Sequence, residues 1–519
     1  MKPRRAGCGL WEGMLLRLAV QRPIVALAMK AVPVGSRQFA RVLLLALIAV
    51  LLPLASCSRQ TPAQTLASKT PAPLPVPPLF TELIVEATVT FPEKAVSKRH
   101  QFVDVQPAAL VELAQGDGRV QIALPGRGQF TVTVTRRDEN PVATIAYGTL
   151  EEMPGSQVIL TAVEDKLSGR VILPDGALFQ IISTADGHHC VFEVNRKLVD
   201  VACEPPTGAQ PASIRDANGG EIKVAYQTTR WRALLSQSQS ALTPMLAASN
   251  GAGNRSALRG TQRGQAGSSG NKKPASGNSV SSKKGSSKAG GSSGGGGTTQ
   301  IDAVLFYTAA VAKAKGGDAG AKAFAASGVA DVNDAFANSG IKVKVNLVAV
   351  QAYNYVESGD LGKDLSNFNG DDAVKSARDD KKADLISLLV DGPDAGSAGI
   401  GALLQSETGN PGACCSVVVY KHVLTNHTLA HEMGHNLGSN HCWDQAGDGV
   451  FAYSHGHRWT GTDGKNYRSI MSYAKDGDER TGQFSNPAMK HQGAATGDKT
   501  KADNARGFTA TAVPASKYR

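Results

Sequence analysis

Two kinds of hydrophobic spacing divide the chain. Over 82–91, 121–124, 130–135, 157–161, 170–173 and 179–183, apolar or β-branched residues alternate with polar ones or form short runs. Gly, Pro and Asp separate them, as in Pro174-Asp175-Gly176. Such spacing predicts strands, so 80–244 is expected to be a β-rich N-terminal domain with sandwich-like packing. A helix is predicted near 231–240, and no repeat is visible.

Residues 300–519 follow another pattern. Strands are predicted at 301–307, 343–350, 383–390 and 416–420. A helix is predicted over 321–338, where Phe324, Val329, Val332 and Phe336 share a face, and a polar one over 371–381. A further helix follows the last strand. This order predicts an α/β (α+β) domain with a twisted mixed sheet, of a normal size for one domain.

Composition explains the rest of the length. Residues 245–299 are Gly, Ser, Lys and Asn, and cannot bury enough apolar surface to offset chain entropy, so a disordered linker is expected. Residues 58–79 read as a Pro-rich tether. The apolar run over 42–55 is broken by Pro53 and is shorter than the roughly 20 residues a spanning helix needs. Behind Lys30, Arg37 and Arg41 it reads as an export signal occupying 1–57.

The formal charge of +11 is concentrated outside the folded parts. Residues 1–57 carry a net +7 and 245–299 a net +8, so the remainder is slightly acidic at −4. A nucleic-acid partner is therefore not expected. Export favours disulfides. Cys190 and Cys203 form one candidate bridge, and Cys442 with Cys414 or Cys415 another, which leaves one thiol odd.

The chemistry is concentrated in His431-Glu432-Met433-Gly434-His435-Asn436-Leu437-Gly438-Ser439-Asn440-His441. Two histidines four apart on a helix share a face and can hold one Zn²⁺. Gly438 can end that helix in the left-handed conformation and bring His441 back as a third ligand. Three protein ligands leave the fourth position to water, the pattern of a catalytic zinc. Glu432 is the candidate general base.

The motif resembles that of the metzincin zinc endopeptidases, and Ser469-Ile470-Met471-Ser472-Tyr473 resembles their Met-turn. The resemblance implies that Met471 forms a floor under the metal and that Tyr473 contacts the metal or the transition state. Phe484-Ser485-Asn486-Pro487 and Asp503-Asn504-Ala505-Arg506 are similar to closing segments of reprolysin-like bacterial peptidases, closest to the peptidyl-Asp metalloendopeptidases. Reprolysins carry Asp directly after the third histidine, whereas this chain has Cys442 there and Asp444 two residues on. At the other end, Leu54-Ala55-Ser56-Cys57 resembles a lipoprotein signal, which implies lipidation of Cys57. Ser58, rather than Asp, after it implies the outer membrane.

These readings give an exported, zinc-dependent endopeptidase acting on protein or peptide substrates. One Zn²⁺ is held by His431, His435 and His441, and a lipid anchors the chain to a membrane. Residues 80–244 are expected to act as a propeptide. A Cys190 thiolate on the zinc is one way such a segment could silence the enzyme. Alternatives are a zinc amidase acting on cell-wall peptides and a zinc-binding adhesin without catalysis. Oligomeric state, cleavage preference and structural calcium are not readable from the sequence.

Overall fold

The structure is a computed structural model. It describes residues 76–83, 93, 96–138, 140–199, 213–215, 221–229, 297–392, 396–475 and 477–519. The signal with Cys57, the tether, the 231–240 helix, Cys203 and nearly all of the linker lie outside these.

The N-terminal part is one meandering sheet. Its strands are β1 (Phe80–Glu82), β2 (Ser97–Val105), β3 (Arg119–Leu124), β4 (Gly128–Asp138), β5 (Thr144–Leu150), β6 (Met153–Val163), β7 (Lys166–Ile172), β8 (Leu178–Ser183) and β9 (His189–Val194). They lie in the order β1-β2-β9-β8-β7-β6-β5-β4-β3. Just before β1, Leu79 donates to Gln121 of β3 at 2.7 Å and Gln121 donates back to Pro77 at 2.9 Å. The two ends of the sheet therefore nearly meet, where a two-sheet sandwich was expected. Closure removes exposed strand edges.

The pleat sorts this sheet's side chains between two cores. Ala146, Val158, Leu160, Ile181 and Val191 point inward, joined by Ala109 and Leu113 of helix α1 (Pro107–Gln115). The intervening Ile145, Tyr147, Ile159, Ile182 and Phe192 point outward and share a core with the C-terminal domain.

The second sheet has the order β10-β11-β15-β16-β14-β12-β13. Its members are β10 (Ser213–Arg215), β11 (Glu221–Thr229), β12 (Thr299–Tyr307), β13 (Val343–Ala352), β14 (Leu385–Val390), β15 (Gly396–Ala402) and β16 (Cys415–Val419). Strands β12, β13, β14 and β16 are parallel, whereas β15 runs antiparallel to β16. The mixed sheet matches the expectation, and each predicted strand and helix of this domain is present. Helix α2 (Asp318–Asn338) lies between β13 and the N-terminal strands β6 and β7. Contact on both sides explains why Ala321, Ala323, Ala325, Ala326 and Ala330 are buried around its circumference. The domain also holds helices α3 (Leu361–Gly370), α4 (Asp372–Asp380), α5 (Thr428–Asn436) and α6 (Asn504–Ala515), and a short helix at Ala309–Ala314. Strand β15 is the outermost strand contributed by residues 297–519 on that side, and β11 pairs along its outer flank.

Candidate metal centre

Helix α5 presents His431 and His435 one turn apart. Gly438, at φ 91°, turns the chain, with Ser439 donating to the Gly434 carbonyl at 2.9 Å. His441 then comes back onto the helix. His435 Nε2 lies 3.1 Å from Nε2 of His431 and 3.1 Å from Nε2 of His441. Four ligands at zinc–nitrogen distances of about 2.0–2.1 Å in a tetrahedron stand about 3.3 Å apart, so the spacing suits one such ion.

The other ring nitrogens fix the tautomers. His431 Nδ1 donates to the Ile470 carbonyl at 2.8 Å and His435 Nδ1 to the Ser439 carbonyl at 2.7 Å. Each Nε2 of that pair therefore presents a lone pair to the centre. Burial, together with the neighbouring rings for His431 and His441, pushes all three imidazoles below the ordinary value and keeps them neutral. Facing lone pairs at 3.1 Å repel unless a cation lies among them, so the donor set fits zinc. Among the described residues this trio is the one cluster of potential ligands close enough to share an ion.

Glu432 is fully buried, and neither carboxylate oxygen has a protein partner. Burial raises its pKa, and the positive charge of Arg480 counteracts this. The carboxylate lies under β15, where a Cβ on Gly399 would come within 2.7 Å of Oε1 and one on Gly401 within 3.0 Å of Oε2. Both positions need glycine so that the strand can lie against the Glu432 carboxylate.

Met471 is buried beneath the helix. A Cβ on Gly434 would meet its Sδ at 2.6 Å, so the glycine inside the motif and the methionine of the turn require each other. The Tyr473 ring lies against His441, with centroids 4.0 Å apart. The two closing segments brace His441. Ser485 Oγ donates to the His455 carbonyl at 2.6 Å, His455 Nδ1 donates to the His441 carbonyl at 2.8 Å, and Asn504 reaches Ser439.

The head of α5 is held from the N-terminal part. His427, left-handed at φ 53°, places Nδ1 3.0 Å from Asp331 of α2. Arg170 of β7 pairs with Asp331 and, at 2.6 Å, with Asp334. Burial pushes the Asp331 carboxyl up, but Arg170 and His427 outweigh this and hold it below the usual carboxylate range.

The cysteines differ from expectation. Cys190, Cys414, Cys415 and Cys442 are all buried and unbridged. Cys442 joins neither of the adjacent pair, and instead hydrogen-bonds Asp444, which raises its pKa alongside burial. Cys190 sits in β9 with its thiol pushed up by burial, and is not among the zinc-site groups. Sequence reading also missed Gly399, Gly401, His455 and the Arg170–Asp331 pair. Only the glycine-rich run at β15 carried a hint, as a place of close backbone approach.

Residues 297–485 match the profile of Reprolysin_5, metallo-peptidase family M12. A peptidyl-Asp metalloendopeptidase of Stenotrophomonas maltophilia is 31% identical over 201 residues, 37% of this chain and 46% of that protein. The Xanthomonas campestris protein of the same description is 29% identical over 201 residues, 37% of this chain and 45% of that one. The Pseudomonas aeruginosa one is 26% identical over 243 residues, 42% and 40% respectively. The match thus spans less than half the length of these curated relatives. The C-terminal part of this chain is thus similar to bacterial reprolysin-like metallopeptidases of family M12.

Proposed function

We propose that the chain is an exported zinc endopeptidase that cuts peptide bonds in protein substrates and is held latent by its own N-terminal part. The observation that carries the hydrolytic reading is the convergence of three neutral imidazole Nε2 atoms beside the buried Glu432 carboxylate, under the edge of β15. His431, His435 and His441 would hold the ion. When bound, zinc polarises a carbonyl and lowers the pKa of a coordinated water toward about 7.

The chain's own residues do the rest. Once β11 leaves it, the backbone of β15 takes the substrate as an added antiparallel strand. Glu432, next to the ligand set, takes a proton from the attacking water and returns it to the leaving amine. The Tyr473 ring, held against His441, offers its hydroxyl to the developing oxyanion. The relatives' description suggests cleavage at aspartate, which we adopt for this chain. Casein digestion with and without a chelator, run beside peptidoglycan digestion, tests the reading. Release of peptidoglycan peptides alone would favour the amidase, and bound zinc without any cleavage the adhesin.

Latency is favoured by one further observation. Strand β11, which precedes the linker in sequence, pairs antiparallel along β15, with Ala225 opposite Gly401 and Gln227 opposite Gly399. This is the edge a substrate would use, at the two positions that touch Glu432. The propeptide role of 80–244 is part of this proposal, as are lipidation of Cys57 and an outer-membrane location. The mature N-terminus of the exported protein, read by mass spectrometry, tests all three.

A further inference from the structure

Three arginines stand side by side across a small three-stranded sheet around the Met-turn. Strand Arg458–Thr460 pairs antiparallel with Asn466–Arg468, which pairs parallel with Glu479–Arg480. The register puts Arg458 opposite Arg468 and Arg468 opposite Arg480. Like charges directly opposite one another in a sheet are destabilising. Arg468 and Arg480 are also buried. Such a row persists only where its hydrogen bonds compensate it, and those bonds gather around the segment that carries Tyr473.

Arg458 commits each nitrogen of its guanidinium to a different segment. Nη1 donates to Asp444 Oδ1 at 2.9 Å, Nε to Asp478 Oδ2 at 3.0 Å and Nη2 to the Tyr473 carbonyl at 2.5 Å. The other oxygen of Asp478 accepts from Nε of Arg468 at 3.0 Å, so one carboxylate bridges two members of the row. Arg480 Nη2 donates to the Ser472 carbonyl at 2.9 Å, one residue before the tyrosine. From the opposite side, the Tyr473 backbone N–H donates to Gln445 Oε1 at 3.1 Å. Both peptide groups of Tyr473 are therefore held, one by the arginine row and one by the loop after His441. Asp444 of that loop also accepts from Lys475 Nζ at 3.3 Å and is hydrogen-bonded by the Cys442 thiol, so it is a fixed anchor for Arg458.

With its backbone fixed, the Tyr473 side chain has two torsions left. Its ring lies 4.0 Å from that of His441 and stacks on that of His431 at 6.1 Å, measured between centroids. A hydroxyl that donates to a developing oxyanion loses about 10²-fold in rate when misplaced by about 1 Å. Lysine would keep the positive charge of Arg458, but a point-like ammonium lacks the planar fork that spans three separate acceptors.

We propose that Arg458 is a positioning residue for Tyr473. By clamping the tyrosine carbonyl between Asp444 and Asp478, it holds the phenol where the hydroxyl reaches the transition state beside the three imidazoles. This rests on the peptidase reading above and on the part that reading gives to Tyr473.

The test is a four-protein cycle on the protein recovered after export: unaltered, Arg458→Lys, Tyr473→Phe and the two changes together. Each is assayed on one peptide that the unaltered protein cuts, and by calorimetric binding of a phosphinic peptide, which mimics the tetrahedral transition state. Tyr473→Phe should lower kcat by about 10²-fold and weaken the phosphinic peptide in proportion. Arg458→Lys should lower both by about 10-fold, with KM and zinc content unchanged. The double variant should match Tyr473→Phe within about 2-fold, because a hydroxyl already removed cannot be misplaced. An arginine with a merely structural role would cost the same factor in both backgrounds, and that result overturns the proposal. So does full activity of either single variant. If Arg458→Lys does not fold, Asp444→Asn releases one anchor at constant shape, and the same cycle is run with it. If the unaltered protein cuts no peptide in a chelator-sensitive way, the peptidase reading itself fails and the proposal with it.

Discussion

A single added methyl group on Gly399 would lie 2.7 Å from Oε1 of Glu432. The same methyl would lie 2.9 Å from the Cγ2 of buried Thr428, so both helix side chains must shift to admit it. The carboxylate would then no longer stand where it must receive a proton. Gly399→Ala should keep its metal and lose some of its unfolding midpoint while kcat falls by about 10²-fold, since displacement of about 1 Å costs that much. Metal content, denaturation and kcat measured on one preparation check this. Unchanged kcat would place the working carboxylate elsewhere.

The three imidazoles and Glu432 should separate cleanly by readout. Glu432→Ala keeps the Nε2 cluster, so zinc stays bound while activity drops by about 10²–10⁴-fold. His431, His435 or His441 changed to Ala should lose zinc as well as activity. Because folding of such a site is linked to metal binding, a chelator should also lower the unfolding midpoint of the unaltered protein. Elemental analysis distinguishes the two classes. Glu432→Ala protein with full turnover would rule out this mechanism.

Arg170 reaches from the N-terminal sheet to neutralise Asp331, and through it steadies His427 at the head of the zinc helix. Removing one partner of a buried pair leaves an uncompensated charge, so Arg170→Met should destabilise the chain by about 3–5 kcal/mol. The pH dependence has a definite sign. The folded Asp331 carboxyl is held below its ordinary value, so its contribution is present above the unfolded value of about 4 and is lost as pH falls through the lower folded value. The stability gap between the unaltered protein and Asp331→Asn should therefore narrow below pH about 4. Urea midpoints from pH 3 to 7 measure it.

What sequence could reveal followed the range of the interactions involved. The parallel strands and α2 were legible because their apolar spacing repeats locally. The closeness of His431 and His435 was legible because a four-residue spacing on a helix fixes geometry without tertiary knowledge. Strand β15 was not, because Gly-Ser-Ala-Gly-Ile-Gly-Ala lacks the β-branched alternation of a strand. Its glycines answer to Glu432, some 30 residues away in sequence. In the N-terminal part, the alternation predicted the strands over 121–183, while most of the 82–91 stretch lies outside the described residues. It could not distinguish two packed sheets from one nearly closed sheet, because both bury every second residue.

Strand β11 makes the boldest claim on the edge of β15, and it can be tested from both sides. Its partner residues in β15 are those that lie over Glu432, so the two cannot be paired while a substrate occupies the same backbone groups. A chain lacking 221–229 should therefore show higher initial activity than the intact one. A synthetic peptide of that segment should inhibit it competitively, while a scrambled peptide should not. The N-terminal sheet itself is expected to stay bound when the linker is cut. Ile145, Tyr147, Ile159 and Phe192 share a core with α2, and Lys315 of the C-terminal domain pairs with Glu93 in a buried contact at 2.8 Å. Linker-nicked protein should thus gain activity while both fragments still elute together from a sizing column. Separation of the fragments without denaturant, or equal activity before and after nicking, would show that β11 is not what holds the enzyme latent.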